Sequence, residues 1–571
     1  MQQLPAVDMV VLVLYVAGMV GFGCWFVRRS SKTEGFMAAD RSLPGWAVGL
    51  SIFGTYVSSI SFLANPGKSF SADWNPFVFG LSLPIAAVVA VKCFVPFYRK
   101  AGEISAYSHL EHRFGAWART YVVICFLLTQ IVRIGAIMLL VAIALNKLTG
   151  WDHQTIIIVT GVLVTLYTML GGIEAVIWTD VVQSIILTLG ALVCVVLLLV
   201  RMPEGPQQVF SIAKEHGKFS LGSFELVSIA DEDDQQEPDG DESSARKFRI
   251  GDVIINVAET TFWIVLLFGL FENFRNFGID QSYVQRYITA KTDADAARSV
   301  WIGALLFVPI SALLFFIGTA LFAFYYAQPQ LLKGVVNDPQ VLNQIVENPE
   351  LIGDSAYVKG DEVFPHFIVT QLPTGMTGLL IAAIFAAAMS SVDSSLNGSA
   401  TLILVDIYRR YFRPSAGERE SMAVLYTSTL VWGALGTFIA IVLIPVESVL
   451  DTWWKLSGIL GGGMLGLFLL GYISRRANSP GALIGVVVGL LVIIWMTINQ
   501  LEPDAKAITG LRDLLPGVYE FLLRLVERME PYRAPINGLL TIAIGTLTIM
   551  LVGMLASRLF KREEAQTPTG E

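Results

Sequence analysis

The chain has 571 residues and a net charge of −8, with 54% hydrophobic and only 15% charged residues. Soluble domains carry about a quarter charged residues, so this composition, with a mean hydropathy of +0.62, excludes an assembly of water-soluble domains. Much of the acidity sits in one stretch, Asp231 to Asp241, and no basic stripe is present, which excludes a nucleic-acid partner.

A helix that crosses a bilayer needs about 20 mostly apolar residues. Thirteen spans are predicted, at 7–28, 44–70, 75–97, 117–147, 154–171, 175–201, 254–277, 299–327, 364–405, 421–445, 450–473, 480–499 and 534–560. The fold class is therefore an all-α polytopic membrane protein, with the lipid bilayer as its first partner. The first span has no basic run before it and no small-residue cleavage site after it, so it reads as a retained helix. Cys24, Cys93, Cys125 and Cys194 all lie in apolar stretches without metal-ligand spacing and read as small buried hydrophobes.

Short-loop Lys and Arg residues give the orientation. Arg28, Arg29, Lys32 and Arg41 follow the first span, Arg99 and Lys100 the third, and Arg286, Lys291 and Arg298 the seventh. Arg409, Arg410 and Arg413 follow the ninth, Arg475 and Arg476 the eleventh, and Lys561 and Arg562 the last. With thirteen alternating spans they all share one side, the cytoplasm. Met1 is then outside a cell (plasma or inner) membrane and Glu571 inside. The loops at 202–253, 328–363 and 500–533 face outward.

The second span packs Gly54, Thr55, Ser58, Ser59, Ser61 and Asn65 into one crossing and ends in Pro66-Gly67. Proline lacks a donor and disfavours helix at the residue before it. Interrupted backbone at membrane depth is tolerated where it lines a cavity, and in many transporters it holds cations. A Ser/Thr-rich packing face is the alternative.

Arg133 lies between two apolar stretches, too deep to reach a helix end, where it can pair with an internal carboxylate or receive one from a ligand. Asp180 follows Trp178-Thr179 in the sixth span. The ninth span carries Ser390, Ser391, Asp393, Ser394, Ser395 and Asn397. Helical spacing puts Ser390, Asp393, Ser394 and Asn397 on one stripe and Ala387, Ser390, Ser391 and Ser394 on another. Hydroxyl and carboxylate oxygens suit a hard cation such as Na⁺, and a carboxylate at membrane depth marks an ion or substrate pathway.

Together these segments resemble the sodium/solute symporter family over roughly residues 7–475. The resemblance is carried by Met389-Ser-Ser-Val-Asp-Ser-Ser-Leu-Asn397 with Val405-Asp-Ile-Tyr408, and by Gly171-Gly-Ile-Glu…Trp178-Thr-Asp180-Val-Val-Gln183. Asn273-Phe-Arg-Asn-Phe-Gly-Ile-Asp280-Gln281, with Gln285-Arg286, adds to it. It implies an inverted repeat of five plus five helices and alternating access to a midplane site. The expected divisions are an N-terminal extra helix (1–43), a first repeat (44–201), an extracytoplasmic acidic loop (202–253), a second repeat (254–473), and two C-terminal helices with a short tail (474–571).

Carried over by position, the main Na⁺ site takes the carbonyls of Gly54, Val57 and Ala387 and the hydroxyls of Ser390 and Ser391. A second Na⁺ site, held by some members, falls on Asp180, Asp393 and Ser394; one sialic acid symporter type has serine in place of Asp393. Arg133 in Gln130-Ile-Val-Arg133 resembles the third-helix arginine with which sialic acid symporters grip the substrate carboxylate. Ser58, Ser61 and Asn273 match substrate-side positions. Phe307 stands where sugar symporters have a lysine, and Tyr56 where the sialic acid transporters have a small polar residue.

The expected function is therefore Na⁺-coupled import of a small organic solute bearing a carboxylate, sialic acid foremost, with Na⁺ as coupling ion and no resident cofactor. A neutral sugar or polyol symporter is the alternative, with Arg133 paired internally. A membrane sensor or channel subunit is more remote, since no signalling domain is evident. An enzyme is not expected: His109, His112, His153, His216 and His366 are scattered near loops, with no nucleophile–base pair or phosphate loop.

Overall fold

The computed structural model describes residues 5–225, 227–229, 248–250, 253–255, 259–444, 449–500, 516–529 and 536–560. The acidic run from 231 to 241 lies outside them. Among the described residues eleven helices are long and apolar enough to cross a membrane, and a bent pair, Gly45–Tyr56 with Ile60–Ser71, makes a twelfth.

In chain order these are α1 (Ala6–Trp25), the pair α2 (Gly45–Tyr56) and α3 (Asn65–Ser71), α4 (Asn75–Ala101), α5 (Ala116–Thr149) and α6 (His153–Val200). Then come α7 (Phe262–Ile279), the half-helix α8 (Gln281–Thr289), α9 (Asp293–Ala327), α10 (Met376–Leu402) and α11 (Glu418–Val442). The chain closes with α12 (Val449–Ile473), α13 (Ser479–Ile498), the short α14 (Pro516–Met529) and α15 (Thr541–Ala556).

The spans expected at 154–171 and 175–201 form the single element α6, of 48 residues. At 1.5 Å per residue it would run about 72 Å, far beyond a bilayer core of about 30 Å. It breaks at Gly172, with φ 60° and ψ −167°. A Cβ there would meet the Phe36 backbone at 3.0 Å, so both conformation and space demand glycine.

Other boundaries move for local reasons. The span expected at 364–405 divides into a helix Gly360–Gln371 and α10, parted by Pro373 and by Gly375 at φ 92°. The span expected from 254 begins at Phe262, where the Thr261 hydroxyl accepts from the Ile264 N–H as cap. Before it, Val227–Ile229, Phe248–Ile250 and Val253–Ile255 form a small antiparallel sheet in the order first, third, second. The stretch after the seventh span is not a surface loop: all nine residues of α8 are buried. Arg286, expected among cytoplasmic loop charges, is 0% exposed.

Burial sorts the helices. The most apolar stretch of α10 is 94% buried, against 22% for α1 and 33% for α11. The helix richest in serine thus occupies the centre, packed on α5, α6 and α1, while outer helices offer Val10, Leu14 and Leu430 to lipid. This is the expected order where hydrocarbon is the solvent and polar groups must find partners inside.

Two clamps tie the periphery to this centre. The Asp8 carboxylate of α1, wholly buried, accepts from the N–H groups of Gly375 and Gly378 at 2.7 Å each, capping α10 from another helix. After a short helix at Gln207–Glu215, the Lys218 ammonium donates to the carbonyls of Phe70 (2.7 Å) and Ala72 (3.0 Å) at the end of α3 and lies 3.9 Å over the Phe322 ring.

Candidate functional site

The bent pair α2–α3 breaks upstream of Pro66. Val57 leaves the helical basin at φ −88°, ψ 77°, while Asn65 stays helical and Pro66 occupies the first turn of α3, where a missing N–H is harmless. Hydroxyls around the break bond to main-chain carbonyls: Thr55 to Ser51 (2.9 Å), Ser61 to Tyr56 (3.2 Å) and Ser59 to Ile137 of α5 (3.1 Å). Such bonds give the backbone an alternative to the helical ladder.

α10 faces this break. The Ser390 hydroxyl donates to the Gly54 carbonyl (3.0 Å) and to the Ala387 carbonyl (3.2 Å), and Ser391 donates to the Thr55 carbonyl (3.4 Å). Gly54, Ala387, Ser390 and Ser391 therefore meet, with Val57 at the turn beside them. A Cβ on Gly54 would lie 2.8 Å from the Ser184 hydroxyl of α6, which is why this close approach takes a glycine. The group is built of neutral oxygen donors from two helices, the set a hard monovalent cation takes.

A second polar group lies alongside. Asp180 Oδ2 accepts from the Ser51 hydroxyl (2.5 Å) and from Arg286 Nη2 (2.9 Å), and the same Nη2 donates to the Ser394 hydroxyl (2.7 Å). Asp180 and Ser394 are thus brought together through a guanidinium. Asp393 faces elsewhere: it accepts from the Tyr167 hydroxyl (2.9 Å) and from Ser394 (3.3 Å). Asp180, Asp393 and Arg286 are all 0% exposed, and the guanidinium pairs with Asp180. Asp180 Oδ1 has no hydrogen-bond partner among the described residues.

A pocket of about 80 Å³ opens beside the break, and Ser58, Ser61 and Arg133 line it. Asn273 does not; its amide donates to the Ser82 hydroxyl at 2.9 Å and is wholly buried. Its neighbours Glu272, Arg275 and Asn276 line the pocket instead, with Trp453 and Trp454 of α12. Tyr56 and Phe307 also line it, their rings 5.5 Å apart, and Tyr56 lies 4.7 Å from the Tyr283 ring. Arg133 Nη2 donates to the Thr55 carbonyl at 2.8 Å, and its guanidinium lies beside the Tyr283 hydroxyl. Among the described residues Arg133 makes no ion pair.

Sequence reasoning did not single out Glu272, Arg275 or the role of Arg286. The first two carried a usable signal, since ionisable residues inside an apolar span are costly and functional by default. Arg286 carried only its place beside Gln285 in the resemblance, because its spacing is otherwise that of a loop charge.

A sequence model described as the sodium:solute symporter family matches residues 36–489. The sodium/sialic acid symporter SiaT of Proteus mirabilis (strain HI4320) is 32% identical over 491 residues, 86% of this chain and 89% of that protein. The sodium/sialic acid symporter NanT of Aliivibrio fischeri (strain ATCC 700601 / ES114) is 30% identical over 563 residues, 98% of this chain and 94% of that one. A solved structure of a Na⁺-coupled sialic acid symporter, substrate-bound and outward-open, superimposes with a TM-score of 0.76 at 28% identity, covering 98% of each chain. The five-plus-five transporter core fits the observed breaks, as each repeat opens on an interrupted helix, α2–α3 in the first and α7–α8, parted at Asp280, in the second.

Proposed function

Because the chain belongs to the sodium:solute symporter family, we propose that it imports a small carboxylate-bearing solute by alternating access, driven by Na⁺, with sialic acid as the leading candidate. The observation that carries the carboxylate is Arg133, a guanidinium in the pocket wall that forms no ion pair among the described residues. Its free donors suit bidentate capture of a carboxylate. A neutral sugar or polyol fits less well, because it offers the Arg133 donors no carboxylate to receive.

In this reading the coupling Na⁺ sits among the carbonyls of Gly54, Val57 and Ala387 and the hydroxyls of Ser390 and Ser391. A cation bound there links α2 to α10 and shifts the balance between conformations that hold those helices together or apart. The Asp180–Asp393–Ser394 group is a candidate for a second cation. Its carboxylate and hydroxyl oxygens suit such an ion, while the Arg286 guanidinium already takes one oxygen of Asp180. The reading has thirteen crossings, with α6 counted twice across Gly172, the N-terminus outside and the C-terminus cytoplasmic. It needs no resident cofactor and no enzymatic step.

The test is uptake by purified protein in proteoliposomes. Solute should accumulate under an inward Na⁺ gradient and not when choline replaces Na⁺; equal uptake in both would sink the symporter reading.

A further inference from the structure

The proposed function uses Arg133 and leaves the other charged end of the pocket without a role. Glu272 and Arg275 lie one turn apart on α7. Arg275 Nε and Nη2 donate to the Glu272 carboxylate at 3.1 and 2.5 Å, and Nη2 also donates to Asn276 Oδ1 at 2.9 Å. The Ser457 hydroxyl donates to Glu272 Oε1 at 2.6 Å, and Asp280 Oδ2 lies 3.7 Å from Arg275 Nη1. Two carboxylates therefore flank one guanidinium, a local balance of one negative charge. Arg133, on the wall of the same pocket, supplies one positive charge. The pocket is charged oppositely at two places, and a ligand must match both.

What can sit at the Glu272 end follows from its occupancy. A carboxylate has about four acceptor sites. Three on Glu272 are used, leaving one on Oε2 among the described residues. A second carboxylate brought there would face the net negative charge of Glu272, Arg275 and Asp280 together, and misplaced like charges discriminate strongly between ligands. An ammonium would lie against the Arg275 guanidinium. A neutral hydroxyl or amide N–H meets neither objection and satisfies the remaining acceptor.

Resting on the symporter reading, we propose that Glu272 determines specificity, selecting monocarboxylates whose far end carries neutral hydrogen-bond donors and rejecting dicarboxylates and ω-amino acids. This is a substrate class defined by both ends of the molecule, where Arg133 alone defines only one.

The test uses the full-length protein in Na⁺, with competition for binding by hydroxylated monocarboxylates (N-acetylneuraminate, gluconate, glycerate), by glutarate and by 4-aminobutyrate. At least one hydroxylated acid should bind about tenfold or more tightly than glutarate and 4-aminobutyrate. Glu272→Gln keeps an acceptor for Arg275 and removes the charge, so it should narrow the gap to glutarate by about tenfold. Stabilisation by Na⁺ without solute is read in parallel and should be unmoved in this variant. Wild-type protein that holds glutarate or 4-aminobutyrate as well as every hydroxylated acid overturns the inference, even if the variant does not fold. So does a Glu272→Gln protein with an unchanged selectivity ratio. A protein for which no solute binds in a Na⁺-dependent way instead overturns the symporter reading beneath it.

Discussion

The guanidinium of Arg133 and the hydroxyl of Ser391 donate to one atom, the main-chain carbonyl of Thr55, at 2.8 and 3.4 Å. That carbonyl sits in the last turn of α2, one residue after Gly54, whose own carbonyl accepts from Ser390. The proposed solute and cation sites therefore share a single peptide group. A ligand that draws Arg133 toward itself alters the field at Thr55 and so the oxygens around Ser390 and Ser391. Coupling between solute and ion needs no longer path than this.

Ser391→Ala should raise the Na⁺ concentration for half-maximal uptake about tenfold, the effect of about 1.4 kcal/mol of lost ligand energy. Maximal uptake at saturating Na⁺ should change little. A Na⁺ titration of initial uptake rates checks this, and an unmoved half-saturation point removes Ser391 from the site.

Arg133→Lys should lose acidic solutes almost as fully as Arg133→Ala, because an ammonium cannot reproduce the planar fork of donors. Isothermal titration with N-acetylneuraminate reads the loss. Circular dichroism separates it from misfolding.

Arg286 and Asp180 are a buried ion pair, and removing one partner of such a pair costs about 3–5 kcal/mol. Arg286→Met and Asp180→Asn should each lower the unfolding midpoint sharply. The double variant should lose clearly less than the sum of the two, as groups in direct contact do. Strict additivity would mean that the pair contributes nothing as a pair.

Lys218 gives a pH dependence. Burial pushes its ammonium from the ordinary 10.5 down to about 8, against the opposing pull of Asp73. Below pH 8 folded and unfolded chains both hold the proton. Between 8 and 10.5 the unfolded chain binds more of it, so stability rises with pH across that window. The gain is at most about 3 kcal/mol at 1.36 kcal/mol per unit. The difference in unfolding midpoint between wild type and Lys218→Met should therefore grow in favour of the wild type from pH 8 to 10.5. A constant difference would show that burial does not displace the titration of this ammonium in the fold.

Much of this was legible in sequence because it is written locally. A span with six small or polar residues between Gly54 and Asn65, and another with a carboxylate among serines, announce themselves within one helix. What stayed hidden depends on rotation or distance. Asn273 and Asn276 differ by less than one helical turn, yet the first faces Ser82 and the second the pocket. Residue spacing cannot decide that rotation without the neighbouring helix. Arg286 finds Asp180 across 106 residues of chain, and charge patterning reads such an arginine as a loop residue. The division of 364–405 turned on Pro373 and Gly375, whose breaking power was outweighed by the apolar run around them.

The clamp made by Asp8 has a consequence for how the chain is made. Its two partners on the main chain, Gly375 and Gly378, are synthesised 367 and 370 residues later. The first helix thus enters the membrane bearing a carboxylate whose place in the finished protein does not yet exist. This contact of α1 can form only once the amino end of α10 has been made, so closing the clamp joins segments that lie 367 and 370 residues apart in the chain.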